Sequence, residues 1–320
     1  MTRMKAIKCT KYGPPEVLQL SEVEKPIPKN NEVLIKIHAT AVTASDCVIR
    51  GFEMPGNPSF PKKQIMGLMM RLFLGFSKPR NPIIGLVLSG EIESVGKDIK
   101  QFKKGDQVYG FTGSTFGTYA EYKCMSNKEI KNGSLVIKPD YISHEEAAAI
   151  VYGGVLAMYF MKQGNIQSGK KVLIYGASGA IGTTAVQLAR YHGADVTGVC
   201  SSSNGELVKS LGASKVIDYT KADAIDELEL YDFILDAVGE KKSSKVKTQC
   251  KKVLNSQGKY VSVDDNFHKL GPDDLLQLKK LIEAGHIKTV IDRQYPLEQI
   301  VEAHKYVDKG HKIGNVVIAV

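Results

Sequence analysis

The most constraining passage of the sequence is an apolar run, Lys171-Val-Leu-Ile-Tyr175, that meets Gly176-Ala-Ser-Gly179-Ala-Ile-Gly182 and continues into Thr183-Thr-Ala-Val-Gln-Leu-Ala-Arg190. The first part has the length and branched residues of a buried strand, and the last has the periodicity of a helix. The glycines between them permit a tight strand-to-helix turn. A turn without side chains lets the backbone approach a pyrophosphate, while the helix N-terminus offers free N–H groups and the positive end of the helix dipole. The spacing is Ala177-x-Gly179-x-x-Gly182, with alanine where the usual dinucleotide fingerprint has its first glycine. A plain tight turn is the competing reading. Its neighbours argue against it, because this passage opens a series of strands and helices.

The other β runs of that series are DVTGVCSS, SKVIDY, YDFILDAV and GKYVSVD, and helical patterns fill most intervals, notably 180–192 and 243–254. Five such runs predict a doubly wound, parallel α/β sheet. The first third reads differently. Short alternating segments at 32–38, 90–95 and 117–122, cut by turn signals such as Gly13-Pro14-Pro15, predict a small barrel-like β fold. After the fifth run come two helices, 272–284 and 297–307, and a last strand at 315–320; this tail is expected to return to the first domain. Between 51 and 81, prolines precede an apolar stretch, Ile65 to Phe76, with the makings of a short helix. That helix has three readings: a packed element, an adaptable methionine-rich cap over a substrate, or a membrane-surface contact helped by Lys62, Lys63, Arg71, Lys78 and Arg80.

With 320 residues, two domains are expected, and 43% hydrophobic and 24% charged residues are ordinary for a globular chain. No apolar run is long enough to span a bilayer, and the opening MTRMKAIKCT lacks a secretory pattern, so a soluble, cytoplasmic protein is expected. Five scattered cysteines without a C-x-x-C pair argue against a disulfide framework and a structural zinc lobe. The formal charge of +9 suits anionic ligands such as a phosphorylated dinucleotide. The basic run Lys241 to Lys252 reads as the solvated face of a helix whose Val246 and Cys250 turn inward. No RNA-recognition aromatic motif is present, so no nucleic-acid partner is expected.

Cofactor choice is read at the end of the second strand, Gly198-Val-Cys200-Ser-Ser-Ser-Asn204. NAD-binding folds carry a carboxylate there for the ribose hydroxyls. Here three serines offer hydroxyls to a 2′-phosphate, which favours NADPH.

The order of features resembles the medium-chain dehydrogenase/reductase superfamily, and within it the zinc-free quinone oxidoreductase-like branch, over nearly the whole chain. The resemblance rests on Val42-Thr-Ala-Ser-Asp46, Gly85-Leu-Val-Leu-Ser-Gly90, Val108-Tyr-Gly110, Ala147-Ala-Ala-Ile-Val-Tyr-Gly-Gly154, the glycine loop, Leu207-Val-Lys-Ser-Leu-Gly-Ala213, Asp236-Ala-Val-Gly239 and Gly314-Asn-Val-Val-Ile318. It implies a GroES-like β-rich catalytic domain over 1–124, a Rossmann dinucleotide-binding domain over 125–265, and a return to the catalytic domain over 266–320. The superfamily's alcohol dehydrogenases hold zinc through a Cys, a His-Glu pair and a Cys. The matching residues here are Thr43, Leu86 with Val87, and Tyr152, which do not form a zinc set. The seven histidines show no H-E-x-x-H and no close pair in sequence, so no metal site is expected.

Carried over by position, the resemblance places Ser178, Gly179, Ala180 and Ile181 at the pyrophosphate and Ser201, Ser202 and Tyr219 at the adenosine phosphate. Val238, Ser262 and Asn315 fall at the nicotinamide half. Ser203, Val87 and Leu156 depart from the pattern, standing where relatives carry a basic residue, Asp and Thr. Without a metal, hydride delivery to an electron-poor carbon of a quinone, alkenal or enone is the accessible chemistry. Tyr152 and Thr43 are the candidate proton donors, and either alternatively serves only as pocket wall. The expected partners are such a small conjugated substrate and a second copy in a homodimer. The rival class is a non-catalytic NADPH-binding sensor or basic-surface interaction protein.

Overall fold

The computed structural model describes residues 2–53, 62–240, 244–265 and 273–320. The chain divides into two compact units, one of Met1–Tyr152, Gly271–Lys279 and Ile291–Val320, the other of Gly153–Leu270 and Lys280–Val290. The first unit thus runs past residue 124. Strand Leu135–Ile137 pairs antiparallel with Gln107–Phe111 and keeps this stretch in the first unit's sheet.

In the first unit, strands Arg3–Cys9 and Leu18–Glu24 form an antiparallel pair. A larger sheet is organised by the long strand Glu32–Val42, which pairs with Val87–Val95, Tyr122–Ser126 and the tail strand Asn315–Ala319. Val33, Ile35, Ile37, Leu88, Ile92, Val108 and Met125 pack as its core, as period-two alternation directs. The strand expected over 117–122 forms one segment later, at Tyr122–Ser126. Phe116 and Gly117 both take positive φ, 49° and 98°, and Tyr119 spends its backbone groups on Ile84 and Ile7 instead of a ladder. The tail does return: Val316 stands opposite Val42 and Ala319 opposite Ala39.

In the second unit, five parallel strands run in the order Lys215–Asp218, Asp195–Cys200, Lys171–Tyr175, Tyr231–Asp236, Leu254–Ser262. The series starts at the centre and is wound outward in both directions, which sets the strands' carboxyl ends along one edge. All five runs read from the sequence are present. The helix expected over 243–254 is shorter, Lys245–Cys250, because strand pairing resumes at Leu254 opposite Tyr231; residues 241–243 and 272, at the start of two expected helices, lie outside the described residues. Val246 and Cys250 are buried as the periodicity requires. Lys247, however, leaves the solvated face: its side chain is 13% exposed and its ammonium pairs at 2.8 Å with Asp236, whose side chain is 2% exposed. All five cysteines are free thiols. Among the described residues no helix is long and apolar enough to cross a membrane.

Candidate active site

In the second unit the turn after Lys171–Tyr175 is built from three glycines with different duties. Gly176 holds φ at +82°, and a Cβ there would meet Val238 Cγ2 at 2.4 Å. Gly182 lets the helix pack against the turn: a Cβ on it would stand 2.1 Å from the Gly176 carbonyl oxygen. Gly179 is the N-cap of helix Ala180–Tyr191 and supplies no side-chain cap. The N–H groups of the first helical turn are therefore not capped by a side chain, the arrangement that receives a phosphate. Ala177, at the fingerprint's first position, is fully buried.

The remaining carboxyl ends lie beside this turn by register: Tyr175 opposite Val199 and Asp236, Cys200 opposite Asp218, and Asp236 opposite Ser262. Asn204, which the sequence reading passed over, ties the loops together. Its Nδ2 donates to Ser178 Oγ at 3.1 Å and to Ser201 Oγ at 3.2 Å. Val238 is held by its own N–H donating to Asp236 Oδ1 at 3.1 Å. The N–H of Ser262 donates to Asp265 Oδ2 at 2.7 Å, and Tyr219 faces the Tyr175 ring.

Three free serine hydroxyls were expected past Cys200, but Ser202 Oγ donates to the carboxylate of Asp218. The third strand's end brings that acid beside Cys200, so a carboxylate is present although the end of the second strand carries none. Burial raises the Asp218 pKa, and hydrogen bonds from Ser202 and Thr220 more than reverse this, leaving the carboxyl below its ordinary range. Lys209 pairs with Glu206 at 3.2 Å on an exposed face.

Asn315 lies in the first unit, at the start of the tail strand. So do Thr43 and Tyr152. Thr43 caps helix Ala44–Gly51: Asp46 Oδ2 accepts from the Thr43 N–H at 2.8 Å and from its hydroxyl at 2.6 Å, while the Asp46 N–H donates to Thr43 Oγ1 at 3.2 Å. This capping box commits the Thr43 proton to Asp46. Tyr152 instead shares a short hydrogen bond with Ser45 Oγ. Burial pushes the Tyr152 phenol above its ordinary value and the charge of Asp46 adds to this, against the Ser45 hydrogen bond. The phenol is protonated throughout the neutral range. Its pair with Ser45 holds two O–H hydrogens, of which one bridges the two oxygens and the other is left to donate outward.

Behind Thr43 lies a buried chain. Arg50 Nη1 donates to His304 Nδ1 at 2.9 Å, leaving His304 Nε2–H for the Tyr119 oxygen at 3.1 Å; the Tyr119 phenol interacts electrostatically with Asp46, whose Oδ1 is buried without a hydrogen-bond partner. Burial first, then the Arg50 charge, lowers the His304 pKa to about 3, so the ring is neutral. His38 and His144, far apart in sequence, stack at 4.6 Å. The nitrogens of His144 are engaged by Ser89 Oγ at 2.8 Å and Gln107 Oε1 at 2.9 Å. Among the described residues no three His, Cys, Asp or Glu side chains gather as a metal set.

The fold and these residues define a two-unit, dinucleotide-binding α/β protein. Comparison with known families identifies it further. Residues 29–209, more than half of the chain, match the alcohol dehydrogenase GroES-like domain, and residues 180–287 and 265–318 match two zinc-binding dehydrogenase families. The chain belongs to the medium-chain dehydrogenase/reductase superfamily. It is 31% identical to the mouse mitochondrial NAD(P)H oxidoreductase RTN4IP1, covering 100% of this chain and 90% of the mouse protein. It is also 31% identical to 2-methylene-furan-3-one reductase of Solanum lycopersicum, covering 99% and 79%. Among solved structures, the quinone oxidoreductase of Coxiella burnetii superposes with a TM-score of 0.83 at 27% identity, covering 100% of both chains.

Ser45 and Asp46 were within reach of the sequence, one helical turn inside a Thr-x-x-Asp capping pattern. Tyr119 and His304 were not, because only the fold joins positions so distant. Asp46 yields a pH-dependent prediction. Burial pushes its carboxyl up to about 7, against the Thr43 hydrogen bonds and a smaller interaction with Tyr119. An acid whose folded pKa lies above its unfolded value stabilises the fold while both states hold the proton, and that stability is lost as pH rises through the folded value. Between about pH 5 and about pH 8, the wild type therefore loses thermal stability relative to Asp46→Asn, which has no proton to release. A melting-temperature difference between the two proteins that stays constant with pH contradicts this assignment.

Proposed function

We propose that this chain is a zinc-independent, NADPH-dependent reductase that delivers hydride to an electron-poor carbon of a quinone, alkenal or enone. The observation that carries the reading is the helix N-terminus at Gly179–Gly182, without a side-chain cap and set at the carboxyl edge of the parallel sheet. The names of the relatives point the same way: an NAD(P)H oxidoreductase, a reductase of a methylene-substituted furanone, and a quinone oxidoreductase. Bound NADPH supplies the hydride and leaves as NADP⁺. The zinc-free part is supported by Thr43, Leu86, Val87 and Tyr152 standing at the family's ligand positions, since a hydroxyl already committed to Asp46 and two hydrocarbon side chains make no catalytic zinc site.

In this reading Ser178 and the N–H groups of Gly179, Ala180 and Ile181 hold the pyrophosphate. Ser201, Ser202 and Tyr219 surround the adenosine phosphate, and Val238, Ser262 and Asn315 take the nicotinamide half. Tyr152, supported by Ser45, donates its free hydrogen to the oxygen on which negative charge develops, and Thr43 acts through the helix cap that positions Ser45. A proton delivered through the same hydroxyl pair or through water completes the reduction. The reading includes a homodimer working in the cytoplasm.

The direct test is NADPH oxidation against a panel of quinones and enones; tight NADPH binding with no turnover returns the non-catalytic reading. Removing one preorganised donor costs on the order of 100-fold in kcat. Tyr152→Phe is therefore expected to lower kcat by about that factor and leave the KM for NADPH unchanged, and an unaltered kcat across pH excludes the role. Asp218→Asn removes a negative charge beside the adenosine phosphate while keeping an acceptor oxygen for Ser202. A stabilisation on the order of 1 kcal/mol lowers the KM for NADPH a few-fold while that for NADH does not fall. An equal fall for both cofactors contradicts this placement of the phosphate.

A further inference from the structure

The helix Lys62–Leu74 is apolar on two sides. Met66 and Met70 are half-buried and Leu74 is buried, so this side packs onto the protein. On the other, Ile65, Leu68, Met69, Leu72 and Phe73 are between 53% and 64% exposed, and Phe76 just beyond the helix is 57% exposed. At 100° per residue the five helical positions fall within an arc of about 140°, so they form one continuous stripe. Six of the fourteen large hydrophobic side chains exposed among the described residues lie in this short stretch. An ordinary packed helix does not leave such a face in water. The packed reading of the segment therefore accounts for only one of its sides.

Charge identifies the occupant. From 54 to 90 the sequence contains no Asp or Glu, while Lys62, Lys63, Arg71, Lys78 and Arg80 contribute five positive charges. The loop after the helix holds the last of these beside the stripe. Arg71 Nη1 donates to the Phe76 carbonyl at 2.7 Å, the Arg80 N–H donates to the Leu74 carbonyl at 2.7 Å, and the Tyr12 hydroxyl donates to the Gly75 carbonyl at 3.0 Å. Gly75 takes φ +120°, and a Cβ there would meet the Lys78 carbonyl oxygen at 2.2 Å, so the turn is closed and specific. Phe76, Lys78 and Arg80 are thereby presented, exposed, from one pinned loop. A second copy seated symmetrically on this face would bring two such basic segments together with no acid in either to neutralise them.

We propose that the 62–80 segment is a peripheral membrane anchor, whose apolar stripe enters the interface of a bilayer while its basic residues engage anionic headgroups. An apolar face flanked by Lys and Arg is the pattern of helices that lie in that interface, and each basic residue near an anionic surface adds to the attraction. The inference does not depend on hydride transfer, and its test uses neither substrate nor cofactor.

The experiment is co-sedimentation of the full chain with vesicles of phosphatidylcholine alone and of phosphatidylcholine containing roughly 30% phosphatidylserine, an anionic lipid. The wild type is expected to sediment with the anionic vesicles and to be released in part by added salt. Leu72→Ser with Phe73→Ser, two exposed positions, should weaken partitioning at least about tenfold with the melting temperature unchanged. Lys78→Glu with Arg80→Glu should abolish the preference for the anionic vesicles. A wild type that stays in the supernatant overturns the proposal, as does a Leu72→Ser, Phe73→Ser protein that binds equally well. If that double substitution instead changes the oligomeric state without vesicles present, the face belongs to a second copy and the membrane assignment is wrong.

Discussion

The contact on which the cofactor half of this structure depends is the close approach of the helix at Gly182 to the carbonyl of Gly176, a space that no side chain can share. It fixes where the helix N-terminus points, and so where its free N–H groups converge. The sheet order 3-2-1-4-5, numbered along the chain, then brings the ends of the neighbouring strands to the same edge, with Asp218 and Ser262 ending their strands and Ser201 and Val238 in the loops just past theirs. A doubly wound sheet supplies this geometry to many chemistries, so the particular groups along that edge set the function.

In the first unit the organising element is the carboxyl of Asp46. It is buried, its Oδ2 accepts both Thr43 donors, and its Oδ1 is left without a hydrogen-bond partner near the chain of Tyr119, His304 and Arg50. A buried acid of this kind is costly unless hydrogen-bonded, and what it secures is the start of helix Ala44–Gly51, which carries Ser45 to Tyr152. Thr43 and Tyr152, alike in the sequence as candidate hydroxyl donors, therefore differ in structure. One spends its proton on a cap, and the other shares a hydrogen bond with Ser45.

Much of the fold was legible because its signals are local. Each parallel strand announces itself by an apolar run, and the glycine turn by residues that only a tight turn needs. Signals that depend on distant partners were not legible. The basic run Lys241 to Lys252 reads as a solvated face, yet Lys247 turns in to Asp236, a strand away. The serines after Cys200 read as free, yet Ser202 is taken by Asp218 from the next strand. The strand near 117 shifted because Tyr119 found partners in Ile7 and Ile84. The apolar face of the 62–74 helix was visible as composition, and only the exposure of each side chain separated packing from presentation.

Hydride transfer is the claim on which the functional account rests, and isotope tracing tests it most directly. An enone is reduced in ordinary water with NADPH carrying deuterium at both hydrogens of nicotinamide C4, and the product is analysed by mass spectrometry. The account predicts one deuterium per product molecule, at the carbon β to the carbonyl. A product formed by this protein that carries only solvent-derived hydrogen at that carbon would contradict it.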